Sequence, residues 1–254
     1  MPLIVDEQHL GPSESEWWPI ISRIAPPPLD LSTVQRLVVL APHPDDEVVG
    51  AGGLVRWALV NSVPIDIVIV TDGERSHPNS LTSSTRDLAT RRLLESEEAL
   101  RRLGWEQPVL TRLHLPDGNV ARYESHLEEI LAALLGPEVS CAAPWRRDGH
   151  PDHDAVGTAA LRVGEASGAN VWSYLVWGWH WADPHGRDIP WSLARRLDLT
   201  RRDRARKRWA LRAFETQISP LGPGPGDEAV LPARLLPRFW RASEIYLEEG
   251  VATP

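Results

Sequence analysis

The chain has 254 residues, enough for one large domain with a sizeable core, and its 42% apolar and 24% charged residues are those of an ordinary globular protein and do not indicate disorder. A formal net charge of -8 argues against a constitutive nucleic-acid binder. The single cysteine, Cys141, excludes an intramolecular disulfide and a thiolate zinc cluster, and it fits a reducing, cytoplasmic setting.

The opening Met1-Pro2-Leu3-Ile4-Val5-Asp6-Glu7 lacks the basic and apolar regions of a signal peptide, and no apolar run reaches the length of a membrane span. Residues 1–33 read as an irregular arm packed on the body, pinned by Trp17 and Trp18. Pro26-Pro27-Pro28 then leads stiffly into a single domain over residues 34–254. An apolar run rich in Leu and β-branched residues predicts a buried strand over 34–41, closed by Pro42. A helix is expected over 47–60 and a second strand over 65–71, ending in Asp72-Gly73-Glu74. A helical pattern follows over 86–103, stopped by Gly104. Strand-like runs recur at 109–115, 139–143 and 171–177, separated by helical patterns at 123–135 and 154–164. A strongly basic helix is expected over 201–217, then a Pro/Gly loop and a short tail. This alternation predicts a Rossmann-like three-layer αβα fold with a mainly parallel sheet, whose sites form at the carboxyl ends of its strands.

Two His/Asp clusters fall at strand-to-helix junctions: His43-Pro44-Asp45-Asp46 and, about a hundred residues later, His150-Pro151-Asp152-His153. His43 and Asp46 can face one way, with Asp45 turned elsewhere from the same segment. If the first strand and the strand ending near Ala143 are parallel neighbours, the two clusters meet. Two imidazoles and one carboxylate suit zinc or a similar divalent metal, and they leave a position open for water, the pattern of a catalytic site. Asp45 is placed to take a proton from that water. His150 could donate to a developing oxyanion or a leaving amine, with Asp152 holding His150 in the required tautomer. Each cluster alone has an ordinary reading, as an acidic first helical turn or a surface His pair. Their joint placement favours one shared site.

These residues resemble the PIG-L/LmbE-like family of zinc-dependent N-acetylglucosamine-type deacetylases. Ala41-Pro42-His43-Pro44-Asp45-Asp46-Glu47 is similar to that family's first motif, with Pro42 a small departure. Thr71-Asp72-Gly73-Glu74, the helix pattern Arg92, Glu95, Ala99, Leu103-Gly104, the loop Leu115-Pro116-Asp117-Gly118 and the closing His150-Pro151-Asp152-His153 extend the likeness. Gln217 falls where the family often has Ser-Gln. The resemblance implies an LmbE-like fold with His43, Asp46 and His153 as metal ligands and Asp45 as general base. It further implies that His150 assists the oxyanion or leaving group with support from Asp152, and that Asp117 contacts substrate hydroxyls. The cofactor expected is Zn²⁺ or another divalent ion such as Fe²⁺, and the partner a small N-acetylated substrate of the sugar kind.

Other residues carry weaker expectations. Asp72, Glu74 and His77 should line the same rim, Glu74 capping or supporting the first cluster and His77 as a loop residue rather than a fourth ligand. Arg92 is either a contact to substrate or a site carboxylate, or a helix-surface ion pair. Trp177-Gly178-Trp179-His180-Trp181 is either a sugar-stacking platform or core. The basic residues 201–208 read as a solvated face, and Cys141 as inert. Two rivals to N-deacetylation remain: hydrolysis of another amide or ester, and a silent sugar- or metabolite-binding protein. Asp45, His150 and Asp152 speak against the latter, since binding alone needs neither acid nor base.

Overall fold

The structure, a computed structural model, describes residues 11–249; the reading of Met1–Glu7 as no signal peptide lies outside the described residues. Five strands form a parallel core: β1 (Arg36–Ala41), β2 (Ile65–Thr71), β3 (Leu110–Leu115), β4 (Val139–Pro144) and β5 (Asn170–Tyr174). Two further strands, β6 (Ala194–Asp198) and β7 (Ser243–Leu247), complete a seven-stranded sheet of order β3-β2-β1-β4-β5-β7-β6, with β7 antiparallel to both its neighbours. The chain runs from β1 outward to β3, then returns to lay β4 against the other side of β1, with Leu37 opposite Ser140 and Val39 opposite Ala142. That reversal opens a crevice at the carboxyl ends of β1 and β4, the place where open α/β sheets bind ligands.

Period-two alternation sorts the strand side chains into two cores. Leu37, Val39, Ile67 and Ile69 pack on the helices α3 (Gly52–Val60), α4 (Thr85–Leu103) and α8 (Arg201–Leu211). Val38, Leu40, Val68 and Cys141 pack on α5 (Glu124–Leu134) and α6 (Pro151–Ser167). The αβα fold and its mainly parallel sheet are therefore as expected. Among the described residues, no helix is long and apolar enough to cross a membrane.

Several expectations are corrected. The arm is not irregular: α1 (Glu14–Ile24) is a helix with a capping box at Ser13 and Glu16. Trp17 is fully buried edge-on against Trp179, and its Nε1–H donates to the Trp179 carbonyl at 2.9 Å, whereas Trp18 is 46% exposed and pins nothing. The helix expected over 47–60 is two: α2 (Asp46–Val49) and α3, parted where Ala51 leaves helical geometry at φ -127°, ψ 14°; Gly50 before it lets the Tyr174 ring approach, since a β-carbon there would lie 2.1 Å from that ring. The basic helix stops at Leu211, and its last expected turn is the separate α9 (Glu215–Ile218). The strand expected over 171–177 ends at Tyr174, and residues beyond it turn into α7 (Gly178–Trp181).

The sole lysine, Lys207, points inward from α8. Its ammonium donates to the Val49 carbonyl and pairs with Glu244 of β7, whose carboxylate also accepts from the Gly53 and Leu54 backbone N–H groups at the start of α3 and from the Tyr246 hydroxyl. Burial pulls the Lys207 pKa down and Glu244 opposes that. Lys207→Met leaves Glu244 buried without its counter-charge and is expected to lower unfolding stability by about 3–5 kcal/mol, read from the urea midpoint. An unchanged midpoint would show the pair to be unnecessary to the α8–sheet contact.

Candidate functional site

Pro42 ends β1, and its carbonyl accepts from both the N–H and the hydroxyl of Thr71 at 3.0 and 2.9 Å, which fixes the turn carrying the first cluster. The His43 N–H donates to Asp46 Oδ2 at 3.0 Å. Asp45 then adopts φ 144°, ψ -31°, a conformation L residues rarely take, at a cost on the order of 1–3 kcal/mol. Neighbours hold it there. Its N–H donates to Glu47 Oε2 at 2.9 Å, and the buried Arg92 guanidinium donates to Asp45 Oδ1 (3.1 Å), the Pro44 carbonyl (2.8 Å) and the Gly73 carbonyl (2.9 Å). Gly73 is required at this approach, since a β-carbon would meet Arg92 at 2.0 Å. Arg92 is thus no surface ion pair: its guanidinium faces the first cluster.

The second cluster starts earlier in its helix than the pattern suggested. His150 is the N-cap of α6, with Pro151 opening the first turn, so Asp152 and His153 project from that turn toward β1. The His150 Nδ1 accepts from the Asp152 N–H at 3.2 Å. Burial and the neighbouring His43 and His153 push the His150 pKa down to about 3, leaving a neutral ring whose proton sits on Nε2. The Asp152 carboxylate does not reach His150. It accepts from the Gly118 and Val120 N–H groups at 2.7 and 3.0 Å and contacts His43 Nε2 at 3.2 Å. The expected support of His150 by this carboxylate is therefore replaced by support of His43. Asp117 shares that task, with Oδ1 3.3 Å from His43 Nε2.

The three imidazoles His43, His150 and His153 converge, each placing a ring nitrogen within 4.8 Å of the others; His43, Asp117 and Asp152 form a second such group. Asp46 Oδ2 lies between two rings, 3.4 Å from His43 Nδ1 and 3.2 Å from His153 Nε2. Donor atoms on a tetrahedral zinc, each about 2.0–2.2 Å from the ion, stand at roughly such separations. The His153 Nε2 is buried and has no aligned hydrogen-bond partner, while its Nδ1 is 2.9 Å from Asp148 Oδ2. An imidazole fixed by a carboxylate at one nitrogen and presenting the other to a neighbouring acid is how metal-bound histidines are prepared. The residues fit a divalent cation. Burial disfavours charge on both histidines, but Asp117, Asp152 and Asp46 outweigh it at His43, and Asp46 and Asp148 raise His153 to about 9. Burial raises the Asp45 carboxyl to about 7 against the pull of Arg92, whereas His153 and His43 hold the equally buried Asp46 far below the carboxylate range.

Asp148 was not legible as a site residue. It is fully buried and accepts from the Val176, Trp177 and Gly178 N–H groups at 2.8–2.9 Å, a cradle of backbone donors at the start of α7. One signal was available: a ligating His needs an orienting acceptor, and Asp148 is the only acidic residue between β4 and His150.

A cavity of about 170 Å³ opens over these groups, lined by His43, Asp45, Asp46, Asp117, His150 and His153 on one side. His77 lines it too, as a loop residue of the expected rim. Its Nε2 is 3.1 Å from the Glu228 carbonyl and its Nδ1 is 3.0 Å from the Ser76 hydroxyl. Glu74 supports the Asp117 loop rather than the first cluster, accepting the Asp117 N–H at 3.2 Å. Asp72 leaves the rim, drawn off by Arg112 and His114 on β3. The tryptophans divide: Trp177 lines the cavity, Trp179 is core against Trp17 and Trp191, and Trp181 stacks on Trp145 and donates to the Asp148 carbonyl. The site is not spread over the basic helix.

The PIG-L family, described as GlcNAc-PI de-N-acetylase, matches residues 38–163, the span holding both clusters. The chain is 25% identical over 134 residues, 51% of its own length and 49% of the other, to a diacetylchitobiose deacetylase of Thermococcus kodakarensis. It is 26% identical, over 51% of its length and 60% of the other, to a probable N-acetyl-alpha-D-glucosaminyl L-malate deacetylase 2 of Bacillus cereus. The chain thus spans about half the length of the curated relatives it matches. Its fold is shared with the N,N'-diacetylchitobiose deacetylase of Pyrococcus horikoshii at a TM-score of 0.56 and 22% identity, covering 76% of this chain and 75% of that one. Through residues 38–163 the chain belongs to the PIG-L/LmbE-like family.

Proposed function

We propose that the chain is a metal-dependent hydrolase that removes the acetyl group from an N-acetylated amine, carried on an N-acetylglucosamine-like sugar or conjugate. The observation that carries this reading is His153: one nitrogen is fixed by Asp148, and the other is buried beside Asp46 with no aligned hydrogen-bond partner, at the foot of an open cavity. The deacetylases named above match about half of the chain, and the PIG-L family matches residues 38–163, the span that bears these residues, which supports the choice of reaction.

His43, Asp46 and His153 would hold the cation, Zn²⁺ or another divalent ion such as Fe²⁺; when bound it supplies Lewis acidity to the acetyl carbonyl and acidifies the attacking water. Asp45, with its carboxyl raised to about 7, takes the proton from that water. His150 is neutral and donates a hydrogen bond from Nε2 to the oxygen that becomes negative, while the proton taken up by Asp45 passes to the leaving nitrogen as the C–N bond breaks. Asp152 and Asp117 fix the His43 ring through Nε2, and Asp117, facing the cavity, is also placed for a substrate hydroxyl. Arg92 acts on the substrate indirectly by holding Asp45 and the Pro44 carbonyl.

The test is metal content by mass spectrometry together with acetate release from a panel of N-acetylated sugars, before and after chelation. About one divalent ion per chain, with activity lost on chelation and restored on metal return, is expected. A metal-loaded protein that cleaves only esters supports the first rival. One that binds these sugars without cleaving any supports the second.

A further inference from the structure

A single helical turn does not hold itself, because few hydrogen bonds offset the dihedrals it fixes and its last carbonyls lack partners within it. α7 is such a turn, of four residues, yet the N–H groups of Val176, Trp177 and Gly178 at its start are what grip Asp148. To continue the helix the Trp179 carbonyl would need the Asp183 N–H, but that group donates to Asp188 Oδ2 at 3.1 Å. α1 supplies the donor instead, through Trp17 Nε1. It also holds the Trp179 ring from a second side. The Arg241 guanidinium lies 4.2 Å from the centre of that ring and is bound to Glu14, the first residue of α1, with Nε 2.8 and 2.9 Å from the two carboxylate oxygens. Trp191 packs against both indoles, 6.3 Å from each. α1, α7 and Arg241 all lie outside residues 38–163.

We propose that α1 is a clamp on the metal site, with Trp17 its positioning residue: α1 fixes α7, α7 fixes Asp148, and Asp148 fixes the His153 ring. The inference rests on the reading of His43, Asp46 and His153 as metal ligands. From Trp17 Nε1 the path runs through the Trp179 carbonyl, the backbone of Trp177 and Gly178, and the Asp148 carboxylate to His153 Nδ1. Trp17, Asp148 and His153 are all fully buried, and close-packed interiors transmit a displacement rather than absorb it. Trp181 ties the far end of α7 to the Asp148 carbonyl at 2.6 Å, so the carboxylate and the backbone of that residue follow the same turn. Metal–ligand bonds accept departures of only about 0.2 Å, so a small slackening of α7 is felt at the ligating nitrogen of His153.

Trp17→Phe keeps an aromatic ring and removes the N–H. Two measurements on the full chain read its effect: the zinc Kd by chelator competition, and hydrogen exchange of the Val176, Trp177 and Gly178 amides in the metal-free protein. The zinc Kd is expected to weaken by about 3–10-fold, less than the 10–100-fold of a direct orienting partner. Exchange of the three amides is expected to accelerate beyond what the loss of global stability explains. Ile67→Ala, which opens a void in β2 on the distant side of the sheet, controls for stability alone. It should lower the urea midpoint and leave the zinc Kd unchanged, with amide exchange rising no more than the midpoint accounts for. Where Trp17→Phe fails to fold, Glu14→Gln at its partly exposed position loosens the Arg241 side of the clamp and is expected to shift both readings the same way. Unchanged amide exchange overturns the clamp, and faster exchange with an unchanged zinc Kd overturns its reach to His153. If the parent itself binds no zinc while the amides still loosen, the hold on Asp148 stands and the metal reading falls.

Discussion

Asp45→Asn is expected to keep the metal and lose hydrolysis by about 10²–10⁴-fold in kcat. The amide fits the same space, still accepts from Arg92, and tolerates the positive φ at this position better than most side chains. What it cannot do is take a proton. The parent should show a matching pH signature. Burial raises the Asp45 carboxyl to about 7, and Asp46 adds to this while Arg92 opposes it. A base must be deprotonated to act, so kcat/KM falls as pH drops through that pKa; a nearby cation draws the midpoint to lower pH. The acidic limb should therefore lie at or below about 7 and vanish in the residual activity of Asp45→Asn. Full activity in this variant would move the base to another residue, with Glu47, also buried and raised to about 8, the nearest alternative.

Asp148→Asn should weaken metal binding by about 10–100-fold and destabilise the fold at the same time. The carboxylate accepts from three backbone N–H groups and lies 2.9 Å from His153 Nδ1, all in a fully buried setting. An amide has one oxygen and an NH₂, so at least one of these donors is left facing another donor. Hydrogen bonds to a charged group contribute about 1.5–3 kcal/mol each, and losing two puts the expected cost near 3–6 kcal/mol. Chelator competition reads the first effect and a urea titration the second. The two can be separated: if stability falls but metal affinity holds, Asp148 props the β5–α7 turn and does not orient a ligand.

Much of this architecture could be read from residue order, for identifiable reasons. β1, β2 and β4 are buried on both faces over most of their length, so they appear as mostly apolar runs, interrupted only by Asp66 in β2 and Ser140 in β4. β6 and β7 escaped notice because Ala194-Arg195-Arg196-Leu197-Asp198 is a charged edge strand, and Ser243-Glu244-Ile245-Tyr246-Leu247 owes its place to pairing with β5 and β6 rather than to pattern. Helix α1 was obscured by Pro19 in its interior. His43, Asp45 and Asp46, like His150 and His153, stand out because each group is local in sequence and the β1–β4 pairing joins them. The Asp152–His43 contact, the Asp148 cradle and the hold of α1 on α7 each depend on a meeting of distant segments. No spacing rule encodes such meetings.

Lys207 has one more consequence. It is the only lysine of the sequence and is 1% exposed, locked to Glu244 behind α8. Reagents that acylate amines therefore find no lysine side chain on the folded molecule, and surface coupling or cross-linking through lysine fails. When α8 lifts from the sheet, the same amine becomes reactive. One labelled position then reports, molecule by molecule, how often this chain opens.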